Sequence, residues 1–285
     1  DLSLNILDES VVSGDPKTYR LLCTVDASFI SLAALDKKET RFVGLEIFQF
    51  SKPITTKQLS EQILSLSKQS SLLKKINFDK VSVHISGNQY TFIPSSLFRK
   101  ENAEQYYSLN HRKNSQSRIE SENVNGFEMV NVFSVDEPVF SSLQKVFNNF
   151  SPHHHVTSLL AALRLQPVND NSKKLFIHFR PAWIDVIVTE NRKLLLGNSF
   201  NYKSAEDAVY FILNAFEQLG LNPSSIETVL MGGIEKDSAI FKLLSQYVVN
   251  VHFSERISSA KFTYGFDKMP SHFYYSIFSH VLCES

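Results

Sequence analysis

The chain has 285 residues, 43% of them hydrophobic, which exceeds one ordinary core and leads to two domains of roughly 130 to 150 residues each. Its 29 Lys and Arg balance 29 Asp and Glu, so it lacks the basic surface with which a general nucleic-acid binder neutralises phosphates. Its two cysteines, Cys23 and Cys283, form neither a disulfide framework nor a CxxC pair; no apolar run approaches the about 20 residues of a membrane helix, and the opening DLSLNILDES is no signal peptide, so a reduced, cytoplasmic protein is expected.

Residues 19–50 (YRLLCTVDASFISLAALDKKETRFVGLEIFQF) read as three consecutive strands, the first closing at Val25 and Asp26 before a tight connection at Ala27 and Ser28. Thr55 and Gln58 form a capping box, and Leu59, Ile63 and Leu66 behind it share one helix face, predicting a helix that runs to near Lys75. Residues 80–85 and 90–94 read as strands around the turn Ser86-Gly87-Asn88-Gln89, with a helix expected from Ser95. Residues 110–125 carry only Ile119 and Val124 as apolar groups, which predicts a mobile surface loop. After a strand at 128–133, Asp136 as N-cap and Pro138 in the first turn open a helix with Val139, Leu143, Val146, Phe147 and Phe150 in register, closed by Ser151-Pro152. His153-His154-His155 then leads into a short apolar helix over 156–165, and 169–174 reads as a polar link.

The second half repeats this pattern. Residues 175–202 (LFIHFRPAWIDVIVTENRKLLLGNSFNY) again read as three strands, followed by a helix capped at Ser204, striped by Val209, Ile212, Ala215, Phe216 and Leu219, and stopped by Gly220. A buried strand at 226–231 ends on Gly232-Gly233; a helix over 237–247, a strand over 248–253 and an aromatic-rich helix over 271–282 complete the chain. A repeated unit of three strands, helix and strand constrains the fold before any single motif does. It predicts an α/β protein of two like domains, residues 1–152 and 153–285, with the C-terminal helix able to return to the first.

That order of elements resembles the actin-like ATPase superfamily, in which two ribonuclease-H-like domains each carry a mixed sheet and flanking helices. The stretch KVSVHISGNQYTFIP (80–94) resembles the strand, turn and strand ending in Pro of the pilus assembly PilM family and of the cytoplasmic domain of the type II secretion L protein; VLMGG (229–233) resembles the strand and diglycine of the adenosine motif. The resemblance spans nearly all of the chain from Tyr19, and it extends to bacterial families known only as domains of unknown function.

The resemblance implies two hairpins that hold phosphate, each with an acid for metal or water and glycines whose amides close on the anion. The first hairpin, Asp26-Ala27-Ser28-Phe29, keeps an acid and a hydroxyl but not the glycines. Asp26 is thus either a metal-linked carboxylate or a strand-end turn former, and the turn is favoured. The second, from Ile177 to Trp183, sets His178, Arg180, Pro181 and the chain's single Trp where an acid and a glycine run belong; Pro has no N–H and the indole fills space. Arg180 is expected to be a solvated surface residue rather than an anion contact. Gly232-Gly233 fits either close approach to an adenine or a turn with positive φ, the turn being favoured.

The adjacent histidines 153–155 lack the i, i+4 spacing of helical metal ligands and read as polar residues at a helix start; no metal site is expected. No nucleophile elbow, P-loop, dinucleotide fingerprint or zinc motif occurs. The leading expectation is a non-catalytic pseudo-ATPase, an interaction or scaffold module with no cofactor and with a protein partner, compatible with a membrane-associated complex and not with nucleic acid. The alternative is a divergent ATPase or kinase that binds ATP and Mg in the interdomain cleft through Asp26, Ser28, Gly232 and Gly233.

Overall fold

The computed structural model describes residues 2–9, 11, 18–166 and 173–282. Cys283 and most of the link at 169–174 lie outside them. Two compact units divide the chain: one holds the residues up to Ala162 with Ile257–Lys268 and those from Ser276 on, the other Leu163–Arg256 and Met269–Tyr275. The division falls after Ala162 and not after Pro152, because the helix that follows the histidines packs Val156 against Tyr90, Phe133 and Val135 of the first unit.

In the first unit, β1 (Leu2–Leu7), β2 (Tyr19–Val25), β3 (Phe29–Asp36) and β4 (Arg41–Gln49) are followed by α1 (Thr56–Gln69), α2 (Ser71–Lys75) and β5 (Lys80–Ile85). The chain continues through β6 (Tyr90–Pro94), a 3-10 turn at Lys100–Asn102, α3 (Ala103–Ser108), β7 (Ser117–Asn123), β8 (Met129–Asp136), α4 (Glu137–Phe147), β9 (Ser151–His154) and α5 (His155–Arg164). The main sheet runs β1-β4-β3-β2-β5-β9, antiparallel up to β2 and parallel beyond it; β6-β8-β7 form a separate antiparallel sheet. On one face Leu21, Cys23, Val25, Ile30, Leu32 and Val83 meet Leu59, Ile63, Leu66, Val139 and Leu143 of α1 and α4. Burial there pushes the Cys23 thiol pKa up, which keeps it protonated and inert.

The second unit holds β10 (Lys173–Phe179), β11 (Trp183–Glu190), β12 (Lys193–Asn201), α6 (Ala205–Leu219), β13 (Glu227–Gly232), α7 (Ala239–Leu244) and β14 (Val251–Phe253). Its sheet order is β12-β11-β10-β13-β14, with two antiparallel pairings followed by two parallel ones. The path β4-β3-β2-β5-β9 has the same sequence of directions. The two strand trios therefore occupy equivalent places in separate sheets, as the repeat predicts. Later residues add β15 (Lys261–Phe262), which pairs parallel with β4, a 3-10 turn at Tyr264–Phe266, α8 (Tyr275–Ser279) and a final turn at His280–Leu282.

Both long caps form as expected: Thr55 and Gln58 bond reciprocally at α1, and Ser204 accepts from the Asp207 amide at α6, which ends on Gly220 at φ 58°. Four local expectations need correction. The polar stretch 110–125 contains β7, because an edge strand is satisfied by its backbone ladder to β8 and needs little apolar surface. Ser151–His154 is a strand and not a helix end, since its backbone completes the parallel ladder on β5. The helix expected from Ser95 begins only at Ala103, after a 3-10 turn: the Leu97 and Phe98 amides close a single turn on the Pro94 carbonyl, and the chain then becomes extended at Arg99, with ψ 124°. The helix expected through Lys75 is broken at Ser70, whose ψ of 127° is extended.

The break has a cause in β4. Glu46, fully buried, accepts hydrogen bonds from Ser70 Oγ at 2.5 Å and from the amides of Ser71 at 2.7 Å and Leu72 at 3.2 Å, so its carboxylate caps α2 from inside the core. Glu46→Gln preserves volume but loses the charge and turns an NH2 group toward those donors. The expected loss is about 2 kcal/mol, read as a lower urea midpoint at pH 7 with an unchanged slope; an unaltered midpoint would remove the cap as the cause of the break.

Candidate functional site

The first hairpin closes on itself. The Asp26 amide donates to the Phe29 carbonyl at 3.0 Å, and the Asp26 side chain turns inward to accept the Ser28 amide at 2.7 Å. The Ala27 and Ser28 carbonyls accept the amides of Ile54 and Phe50, which ties the turn to the approach to α1. Asp26 and Ser28 are 1% and 2% exposed, and the Ser28 hydroxyl has no partner among the described residues.

Beside this hairpin lies a cavity of about 220 Å³ within the first unit, where β2, β5 and β9 end and α1 and α4 begin. Crevices at the carboxyl ends of parallel strands are the usual ligand positions in α/β sheets. Ala27, Thr56, Ser86, Asn88, Asp136 and His154 contribute to its wall. Asp136 accepts from Thr56 Oγ1 at 2.7 Å and Ser117 Oγ at 2.8 Å, so a resident carboxylate already stands at the start of both helices. Such a carboxylate competes with any incoming anion for the positive ends of the helix dipoles.

The second hairpin is closed by different chemistry. The Arg180 amide donates to the Trp183 carbonyl at 3.0 Å, Pro181 has no amide hydrogen, and Tyr202 gives its hydroxyl to the Arg180 carbonyl at 2.8 Å. Arg180 is not a solvated residue: it is 4% exposed, and its guanidinium carbon lies 5.3 Å from the Trp183 ring centre. Behind the turn, His178 of β10 and Asp185 of β11 are register partners, with Nδ1 2.9 Å from the carboxylate. Ser199 of β12 donates to the other carboxylate oxygen at 2.5 Å. In this order the carboxylate sits between hydroxyl and imidazole, so it orients both and the imidazole does not activate the serine.

Asp185 escapes a linear reading because no acid lies in residues 176–182. Its partnership with His178 appears only when strand residues are counted outward from the hairpin turn, which pairs Phe179 with Ile184 and His178 with Asp185.

The diglycine lies in the second unit, at the end of β13. Gly232 has φ +86°, and a Cβ there would lie 2.2 Å from the Phe179 carbonyl oxygen and 2.9 Å from His178 Cδ2. Its amide donates to the His272 carbonyl, while the Gly233 amide donates to the Phe179 carbonyl at 3.0 Å. His272 returns a bond from its ring to the Ile234 carbonyl at 2.8 Å; burial lowers its pKa despite that bond. Gly233 is different: a Cβ there would have nothing nearer than the Phe179 oxygen at 3.9 Å.

Asp26 and Ser28 thus share a turn in the first unit, and Gly232 and Gly233 a turn in the second. A family model described as protein of unknown function DUF3822 matches residues 11–251, well over half of the chain. The chain belongs to the DUF3822 family. No curated protein matches it. Among solved structures, this DUF3822 protein is similar to a protein of Bacteroides thetaiotaomicron with an actin-like ATPase fold and unknown function, at 20% identity over 94% of this chain and 97% of that one, TM-score 0.78. It is also similar to the PilM–PilN type IV pilus biogenesis complex, at 12% identity over 95% of this chain and 100% of that one, TM-score 0.59. Both likenesses show the fold, and the actin-like ATPase fold is the one the two strand trios imply.

The two glycines are expected to behave differently. Gly232→Ala drives a methyl group into the Phe179 carbonyl at a left-handed backbone position and should cost about 3 kcal/mol or more of stability. Gly233→Ala should stay within about 1 kcal/mol of the parent. Equal melting temperatures for the two variants would show that backbone packing is not what requires glycine at 232.

Proposed function

We propose that this DUF3822 protein is a non-catalytic member of the actin-like fold that serves as an interaction or scaffold module for a protein partner. The observation that carries this reading is where the hairpin amides go. In the first turn Asp26 and Ser28 spend theirs on the turn itself; in the second Arg180 does the same and Pro181 has none. A phosphate cradle needs such amides pointing outward. Asp136 at the start of α1 and α4 adds a fixed negative charge where an anion would bind. PilM was solved in a complex with PilN, which supports a protein partner for a chain of the same fold. Among the described residues no helix is long and apolar enough to cross a membrane.

The ATP-binding reading retains one specific observation, the buried Ser28 hydroxyl without a partner among the described residues, next to the Asp26 carboxylate. Isothermal calorimetry with Mg-ATP separates the two. The interaction reading expects no measurable heat and an unchanged melting temperature at millimolar Mg-ATP. A ligand present at one hundred times its dissociation constant stabilises the native state by about 2.7 kcal/mol, so micromolar affinity would raise the melting temperature by several degrees. Such binding, abolished by Asp26→Ala in a variant that still melts cooperatively, would replace the interaction module with an ATP-binding protein.

A further inference from the structure

Of the chain's nine histidines, three meet on the face of the first unit's main sheet that is turned away from α1 and α4. His84 of β5 is in register with Thr24 of β2 on one side and His153 of β9 on the other. The ring of His280, from the turn at His280–Leu282, lies flat on that of His84 with centroids 3.4 Å apart and planes 3° from parallel. His153 stacks on His84 at 5.2 Å. The Thr24 hydroxyl is 3.4 Å from His280 Nδ1. His84 and His280 are fully buried, and neither ring nitrogen of His84 has a hydrogen-bond partner among the described residues.

The charged and titratable groups that face His84 come from every element around it: His280 from the C-terminal turn, His153 from β9, Arg20 from β2 and His155 from α5. All are neutral or positive. Arg20 is itself held by Ser82 Oγ at 2.9 Å. Glu122 of β7 spends its carboxylate on His153 Nδ1 at 2.8 Å and the His154 amide at 2.7 Å. Burial first, and then these positive neighbours, hold the His84 pKa well below the ordinary histidine value.

The geometry points to an acid-sensitive latch: the His84–His280 stack fastens the C-terminal segment, residues 276–282, to the first unit, and acidification releases that segment. Lifting His280 away admits water to His84, which then takes up a proton more readily than in the stack, toward the ordinary histidine value of about 6.5, although Arg20, His153 and His155 remain beside it. The fastened state therefore binds one proton fewer than the released state. Its advantage is complete above about pH 6.5 and declines below it, the release equilibrium rising by up to about tenfold per pH unit. The segment yields before β5 does because it is the last four residues of a short helix and a three-residue turn, whereas β5 is bonded into ladders on both sides. Its other main anchor is the Phe278 ring, packed on Phe42, Phe262 and Phe266.

Hydrogen exchange on the intact protein between pH 8 and pH 5, corrected for the intrinsic chemical rate, tests this. Amides in 276–282 are expected to exchange up to about tenfold faster for each pH unit below about 6.5, while those in 80–85 stay protected. His84→Phe keeps an aromatic ring against His280 but cannot take a proton, and the acid slope of its exchange in 276–282 should be clearly smaller than the parent's. Unchanged protection of 276–282 at pH 5, simultaneous opening of 80–85, or an acid slope in His84→Phe equal to the parent's would overturn the latch. If His84→Phe does not fold, ring-carbon NMR of the parent decides: a His84 that titrates near about 6.5 while 276–282 remains protected also overturns it.

Discussion

The central strands of both sheets are buried on both faces, and every one of their side chains must therefore be covered by something else in the chain. In the first unit β2, β3 and β4 are closed to solvent along almost their whole lengths. α1 and α4 cover one face. On the other face Phe42 is met by Phe262 and Phe278, on both of which Phe266 packs, all contributed by residues after Arg256, and β15 pairs with β4. The first unit is complete only after the chain has passed through the second and come back. That requirement explains the interleaved division of the chain better than any local boundary does.

The same burial decides the chemistry that survives at the hairpin turns. Strands bonded on both sides leave their carboxyl ends, and the turns beyond them, as the places where backbone amides can face a ligand. Here those turns are filled from within: the Asp26 carboxylate folds back on Ser28, while Pro181, Trp183 and Tyr202 close the other turn. A turn satisfied by its own groups leaves fewer amides to face a ligand, and the proposed interaction role rests on that. The actin-like fold keeps both hairpins, and the residues at their turns bond to one another.

Buried polar groups divide into two kinds. Glu46 and Asp185 each accept bonds on both carboxylate oxygens, and each fixes neighbouring structure, the break between α1 and α2 in one case and the orientation of His178 and Ser199 in the other. Fully satisfied groups of this sort specify a single arrangement of the core. His84 belongs to the second kind, being buried among rings beside Arg20 with neither nitrogen bonded to a described residue. An unsatisfied buried group is costly. It persists only where the surrounding packing holds it, which makes the contact that covers it conditional on its protonation.

The sequence by itself determined the strand trios, because β-rich apolar runs of seven to nine residues bounded by turn residues admit few other structures. It also determined α1 and α6, whose caps and apolar stripes are local signals written within a turn of the helix start. From the order of those elements the duplicated fold was legible. Tertiary structure alone decided β7 and β9, since strands with weak apolar content are held by the ladder of a neighbour and carry little pattern of their own. It also decided the partnership of His178 with Asp185, the capping of α2 by Glu46 and the stacking of His84 on His280. His178 and Asp185 are partners across one hairpin, whereas the other two contacts join residues remote in sequence, and in each case the two halves are brought together only when the sheet is formed and covered.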